Sequence, residues 1–555
     1  MTRTQLTRRT VLTAAGASTA LFGLSRLHGS AGDLLSAVVE ADTSGAAATA
    51  LTVTPTDRQY WDLVSPFNQR WVGSPDAVRL PTTTEQVVNA VREAVRAGKR
   101  LSVRGGGHGY EDWIYNSQIK VVVDMSLMRR VYFDPARQAF AVEAGASLLD
   151  VYTGLYEGYG VTVPAGVCAT VGIGGHACGG GYGMLSRKHG LIVDYLEAVE
   201  VVTVSATGIV RPVVATRDPA DPNHDLWWAH TGGGGGTFGV VTRYWFRSKN
   251  TTSTDPTELL PAPPVQVLSV TAEWPWDQIT EQGFAKLLRA YGTWHERHSG
   301  RADPYAGLCS WLFVPHRTGG KINVLIQMDG SRGDAEHLVR AFLDELDAAA
   351  GVLRTENVLR TEWLKATRHM GMGSPLQTSP TLRGEHKSAY LRRSFTEEHI
   401  AAAWKHLTRA DYDNGYGMFV ATSYGGAIND VAPDATAVHQ RDAILKLLFQ
   451  TYWTDPSQDA RHVSWLRDLY EEMYASTGGV PVPGEVTAGC YVNYPDGDIS
   501  DPARNQSGVP WTTLYWGDNY SRLQRVKAAY DPTDFFRHAQ SVRLPGVAPV
   551  NGGRP

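Results

Sequence analysis

Apolar positions along this chain recur with two different periods, and the places where the period changes mark its parts. Val87, Val91 and Val95 repeat at helical spacing, which predicts a helix with one buried face. Thr82 followed by Glu85 reads as a capping box at its start, and Gly98 stands where a C-terminal cap belongs. A helical turn is expected at 58–63. Short apolar or alternating runs predict strands at 101–103, 120–124, 140–143 and 196–204, the last entering a hairpin near 206–208. Between 248 and 264 the chain turns Ser/Thr/Pro-rich, a linker signal. Beyond it, strands are expected at 265–274, 307–314, 321–329 and 418–424, and amphipathic helices at 283–295 and 334–346. Strands and helices without strict alternation predict an α+β domain built on an antiparallel sheet flanked by helices.

Size and composition sharpen this picture. At 555 residues the chain is longer than one core usually organises, so two lobes are expected. Apolar residues make up 43% and charged residues 19%, which argues against disorder. A net charge of -4 gives no electrostatic case for nucleic acid or an anionic membrane surface. The 16 Trp and 24 Tyr suit a large core and a site for flat or sugar-like ligands. Four cysteines, Cys168, Cys178, Cys309 and Cys490, are too few for a disulfide framework, and the His and Cys spacings fit no zinc pattern. Near the start, Thr7-Arg8-Arg9-Thr10-Val11-Leu12 is a twin-arginine pattern followed by a short apolar run to Leu24 and small residues at 46–50. That order predicts a signal for export of an already folded protein, and no later stretch is long and apolar enough for a membrane span.

Three glycine clusters lie in the first half: 105–109 after a strand, 166–183, and 232–236 before Phe238-Gly239-Val240-Val241. Glycine permits positive φ and close backbone approach, and successive N–H groups in such loops form anion-binding concavities. Three together predict one long ligand carrying a diphosphate. A dinucleotide fingerprint competes: Gly172-x-Gly174-x-x-Ala177 has the spacing, with Asp194 twenty positions after Gly174. Pro164 and Gly166 make the preceding segment a poor central strand, however, and Gly179–Gly183 breaks the helix that should follow.

The combination of 103–109 (Val-Arg-Gly-Gly-Gly-His-Gly), 163–190, 228–241, Tyr491-Val492-Asn493-Tyr494-Pro495-Asp496 and the closing 515–532 resembles the berberine bridge enzyme-like branch of the FAD-linked oxidases. These pieces span most of the chain in the family's order. The look is nearest to bacterial secreted oxidases of sugars or glycosylated antibiotics. The resemblance implies a two-lobed molecule: a signal and leader at 1–50, an FAD-binding domain of two α/β subdomains at 51–250, a substrate domain at 251–485, and a return to the FAD-binding domain at 486–555.

It also implies roles. His108 would bond the flavin 8α-methyl group and Cys168 ring carbon C6. Both are side chains able to add to an electrophilic ring. Arg104, Gly105, Gly106, Gly107 and Gly109 would cradle the diphosphate. Gly166, Val171, Gly172, Gly175, His176 and Gly180 would line the second loop, and Gly239, Val240 and Val241 would pack the adenine or ring edge. From the residues alone, His176 and His189 read as structural. Tyr491 would be the base that takes a hydroxyl proton while hydride passes to flavin N5, with Asn493 orienting the motif, Tyr494 beside it, and Tyr182 and Tyr416 as further phenols at the site. A phenol ionises near ~10, so making phenolate at neutral pH means lowering it by roughly three units, about 4 kcal/mol. A nearby cation or hydrogen bonds must supply that. The expected partners are a small-molecule alcohol and O2, with hydrogen peroxide as product. A flavin dehydrogenase or oxidative cyclase of the same family, a nicotinamide-dependent dehydrogenase and a non-enzymatic binding protein stay open at this level.

Overall fold

In the computed structural model, residues 49–373 and 379–547 are described. The twin-arginine pattern and the apolar run after it lie outside the described residues. Among the described residues no helix is long and apolar enough to cross a membrane.

The chain opens with a four-stranded sheet: β1 (Leu51–Val53), β2 (Ala77–Leu80), β3 (Leu101–Arg104) and β4 (Val121–Asp124), in the order β1-β2-β4-β3. β4 pairs parallel with β2 and β3, while β1 is antiparallel. The helix α1 (Thr84–Arg96) crosses between β2 and β3. Its N-cap is Thr83, whose hydroxyl accepts from the Gln86 N–H, one residue later than Thr82 and Glu85 suggest. Gln86 causes the shift, because its side-chain oxygen accepts from the Thr82 N–H at 2.8 Å. Gly98 closes the helix at φ +61°.

A five-stranded antiparallel sheet follows, β5-β6-β9-β7-β8, from β5 (Val131–Asp134), β6 (Ala139–Glu143), β7 (Leu196–Val204), β8 (Val210–Thr216) and β9 (Val240–Phe246). Between β6 and β7 run α2 (Leu148–Tyr159), with a capping box of Ser147 and Asp150, and the short α3 (Ile173–Cys178). The stretch 248–264 is a packed connection, not a loose linker: Leu259 and Leu260 are buried, and the Thr162 N–H donates to the Pro261 carbonyl at 2.8 Å.

The third sheet has seven antiparallel strands, β13-β10-β12-β11-β15-β16-β14. They are β10 (Gln266–Pro275), β11 (Cys309–Pro315), β12 (Lys321–Asp329), β13 (Thr355–Glu362), β14 (Arg383–Leu391), β15 (Met418–Ser423) and β16 (Leu445–Trp453). Four helices cover one face: α4 (Glu281–Arg297), α5 (Ala335–Ala350), α7 (Glu397–Thr408) and α8 (Asp459–Met473); α6 (Trp363–Met372) follows β13. Strand alternation divides the labour. Leu312, Val314, Phe419, Ala421, Leu447 and Phe449 join the helix-side core. Trp311, Phe313, Met418, Val420, Thr422, Leu448, Gln450 and Tyr452 face the other way, into a cavity. The wall of that cavity is therefore written in every second residue of three strands. The segment after 479 returns to the first core: Val480, Cys490, Val492, Leu514, Trp516 and, in α9 (Tyr520–Tyr530), Leu523 share one buried cluster with β6, β7 and β9.

Candidate active site

One cavity of about 600 Å3 runs along all three glycine clusters and ends beneath the seven-stranded sheet. That lies within the ~300–1,000 Å3 range of small-molecule and cofactor sites.

At the loop end, β3 delivers the chain into 105–109, and the turn 166–172 lies against it. A Cβ on Gly106 would sit 2.3 Å from the Gly172 nitrogen, and one on Gly172 2.2 Å from the Gly106 nitrogen. Two backbones in contact leave room for no side chain at either position. Gly107 holds φ +75°, with the Arg104 guanidinium behind it. His108 Nε2 lies 2.9 Å from the Thr170 hydroxyl and Cys168 Sγ 3.8 Å from the same oxygen, so the two candidate nucleophiles gather at one point. Phe67 stacks on the His108 ring at 4.7 Å. Burial, and then the Arg104 charge, hold His108 down to about 4, leaving a neutral ring with a nucleophilic lone pair. Gly175 and Gly235 line the cavity, and a Cβ on either would meet no atom within 4 Å, so their bare backbone faces the space a ligand fills. Trp113 stacks on His538 at 4.0 Å, and His538 Nε2 donates to the Gly235 carbonyl at 3.1 Å, which ties the third glycine run to the C-terminal segment.

At the other end sits a cluster of phenols. The Tyr491 oxygen accepts from the Gly181 N–H and from Asn493 Nδ2, both at 3.2 Å. Asn493 Nδ2 also donates to the His176 carbonyl at 3.0 Å. Tyr182 and Tyr494 share a hydrogen bond of 2.6 Å between hydroxyls. Over these rings lies Lys446 of β16, on the same strand face as Leu448, Gln450 and Tyr452. Its Nζ is 3.1 Å from the ring centre of Tyr182, 3.9 Å from that of Tyr491 and 4.0 Å from that of Tyr494. This nitrogen is buried and has no hydrogen-bond partner among the described residues. Lys387 of β14 anchors the segment carrying Tyr491, through Asp496 at 2.9 Å and Asp498 at 2.7 Å.

Most of the sequence-derived candidates line this cavity: Gly105, Gly106, Gly107, His108, Gly109, Gly166, Cys168, Val171, Gly172, Gly175, His176, Tyr182, Gly239, Val241, Tyr491, Asn493 and Tyr494. Four do not. Arg104 supports the loop from behind, paired with Asp124 at 2.5 Å. Gly180 turns toward Val438 at φ +109°. Val240 points to the opposite side of β9 from Val241, into the core. Tyr416 stands 54% exposed in the turn before β15, two residues ahead of the cavity-lining Met418, and is not gathered with the other phenols. His176 lines the cavity and also accepts the Gly166 N–H at 3.0 Å, and burial holds it down to about 3. The residues missed are Lys446, Thr170, Phe67 and Trp113. Only Lys446 leaves a sequence signal, a lone cation inside the apolar run 445–449.

Fused glycine loops, a histidine and a cysteine converging on one hydroxyl, and open glycine faces fit an FAD cradle. This fold and site define an FAD-linked oxidoreductase. The FAD binding domain family matches residues 75–212, and the berberine and berberine-like family matches residues 490–543. The chain is 45% identical over 546 residues to the aclacinomycin-N/aclacinomycin-A oxidase of Streptomyces galilaeus, covering 98% of this chain and 99% of that one. It is 30% identical to the hexose oxidase of Chondrus crispus, over 86% of this chain and 92% of that one. Its fold is similar to the crystal structure of a glycopeptide hexose oxidase complexed with teicoplanin, with TM-score 0.84 and 45% identity over 89% of this chain and 99% of that one. The chain belongs to the berberine bridge enzyme-like family of FAD-linked oxidases.

Proposed function

We propose that this protein is an exported oxidase of secondary alcohols on sugars or glycosylated natural products, with FAD held through both His108 and Cys168. In this reading residues 51–250 and 486–555 carry the cofactor, and 251–485 roof the substrate pocket. The observation that carries it is the buried Lys446 side-chain nitrogen, without a hydrogen-bond partner among the described residues, against the faces of Tyr182, Tyr491 and Tyr494.

An alcohol gives up a proton as well as a hydride when it is oxidised. Bound flavin would supply the hydride acceptor and pass the electrons to O2 as hydrogen peroxide. Tyr491 takes the proton. Burial pushes its hydroxyl up to about 12, against the pull of the bonds from Asn493 and Gly181. Burial likewise pushes Lys446 well below its ordinary range. Each group alone is therefore neutral, but moving one proton from Tyr491 to Lys446 creates an ion pair without changing the net charge. With Nζ 3.9 Å from the Tyr491 ring centre, over which a phenolate spreads part of its charge, the attraction at an effective dielectric constant of ~20 is on the order of a few kcal/mol. The two N–H donors already aimed at the Tyr491 oxygen stabilise the same anion. The pair is a base whose strength the sheet sets through Lys446.

The names of the relatives, an aclacinomycin oxidase and a hexose oxidase, and the teicoplanin complex support a sugar-bearing substrate. On the sheet face that lines the cavity, Thr422 lies level with Lys446 and Trp311, Val420 with Leu448 and Phe313, and Met418 with Gln450, so polar and apolar groups share the wall. The Arg8-Arg9 pattern supports export. The test is peroxide release from the purified holoenzyme with glycosides carrying a free secondary hydroxyl. Turnover with stoichiometric peroxide is expected, and Tyr491→Phe should lower it by roughly 10^3-fold while the protein stays yellow. Full turnover in Tyr491→Phe contradicts the reading.

A further inference from the structure

The seven-stranded sheet ends in β13, whose one strand neighbour among the described residues is β10. Seven of its eight residues are exposed, and its outward edge carries backbone groups that no described strand pairs. Such an edge is a template for another strand, and proteins usually blunt it with charge. Here the charges are arranged otherwise. Arg354-Thr355-Glu356-Asn357-Val358-Leu359-Arg360-Thr361-Glu362 places Arg, Glu, Val, Arg and Glu on one strand face in turn. Read backwards, every charge is replaced by its opposite. Val358 at the centre is 51% exposed, Leu359 40% and the flanking Leu353 82%.

Antiparallel geometry restricts how this strand can meet its own copy. Alternate residues point their N–H and C=O to opposite edges, so a twofold axis pairs odd with odd and even with even. The axis must therefore pass through a residue. With the axis at Val358, Glu356 faces the partner's Arg360 and Arg354 faces the partner's Glu362, each twice by symmetry. With the axis at Asn357, Arg354 meets the partner's Arg360. At Leu359, Glu356 meets the partner's Glu362, and at Arg360 two arginines coincide. Of these four registers only the one centred on Val358 is complementary, and it alone sets all four charges of each strand against opposite charges.

We propose that two copies of this chain associate through β13, edge to edge and antiparallel about Val358, to make one continuous sheet of fourteen strands. Within each copy Arg354 holds Asp347 at 2.6 Å and Glu356 at 2.8 Å, and Arg360 holds Glu336 at 2.8 Å, so contacts across the axis form in exchange for or alongside these pairs. A single strand edge buries less than the ~1,000 Å2 typical of tight complexes, so the association is concentration-dependent and weakens with salt.

Sedimentation of the flavin-loaded full chain tests this. Wild type should form a dimer at ~100 µM and dissociate as salt rises. Arg360→Glu and Glu356→Arg should each raise the dimer dissociation constant at least about tenfold, by setting like charges opposite each other. Mixing the two single variants should restore association, because each then offers the charge the other lacks, and the double swap should dimerise by itself. Val358→Glu, with two carboxylates on the axis, should dissociate as the singles do. Unchanged melting temperature and turnover confirm that the variants fold. A wild type that stays monomeric, a dimer indifferent to these charges, or a mixture no tighter than its components overturns the proposal.

Discussion

The two ends of the cavity are built by different means. The loop end is local in sequence: His108 lies four residues after β3, Cys168 stands in the turn before α3, and the glycines between and around them let two backbones touch. The phenol end is assembled from afar. Tyr182 and Tyr491 are brought together by a hydrogen bond from the Gly181 N–H, and Lys446 comes from the start of β16 in the seven-stranded sheet. What this contrast teaches is that gathering a cofactor requires backbone shape, which a few glycines can specify, whereas tuning a base requires a charge held in a dry place, which only tertiary packing supplies.

The largest expected effect breaks the phenol end alone. Tyr491→Phe should lower kcat by roughly 10^3-fold, the scale of general-base catalysis, while cofactor content is unchanged. Parallel loss of flavin would show that the two ends are not separate. Next, Lys446→Met should lower kcat near neutrality by about 10^2-fold and move the rising limb of the pH profile upward by ~2 units, because the phenolate loses its cation. A limb left in place would mean that Asn493 and Gly181 alone set the base.

A third test reaches both ends through pH. Burial holds His176, His386 and His538 down to about 3, well below the ordinary ~6.5. The folded chain thus binds these protons less tightly than the unfolded chain. As pH falls below ~6.5 the unfolded chain is protonated first, so stability declines until the folded-state values are passed. The slope should be on the order of 1 kcal/mol per pH unit for each histidine, measured by denaturant unfolding between neutral and mildly acidic pH. His386→Gln, which removes one of the three, should flatten the slope; identical slopes would contradict the assignment. The smallest effect is at Tyr416. Exposed at the turn before β15, it should tolerate Phe with less than about a twofold change in kcat/KM.

How much of this is legible in the chain follows the same division. The strands at 196–204 and 321–329 are read with their true limits, since their apolar patterns run uninterrupted between turn residues. β14 is not legible: Glu385, His386 and Lys387 look like a surface loop, yet all are buried because Arg70, Tyr452 and Asp496 partner them from elsewhere. β13 escapes for the opposite reason, being an exposed edge without a core-facing pattern. At the site, neighbouring motifs point to His108, Cys168 and Tyr491, whereas Lys446 needs the register of β15 and β16 to reveal which face it occupies. Val240 and Gly180 do not line the cavity, because one step along a strand or one left-handed turn points a residue elsewhere.

The claim on which the rest depends is that FAD is bonded to the loop end at two points. Absorption of the acid-precipitated, rinsed protein measures it most directly. The account predicts that the flavin spectrum stays with the unfolded wild-type chain, survives in part in His108→Ala or Cys168→Ala, and is lost to the wash in the double variant. A colourless wild-type pellet, with all the flavin in the supernatant, would contradict it.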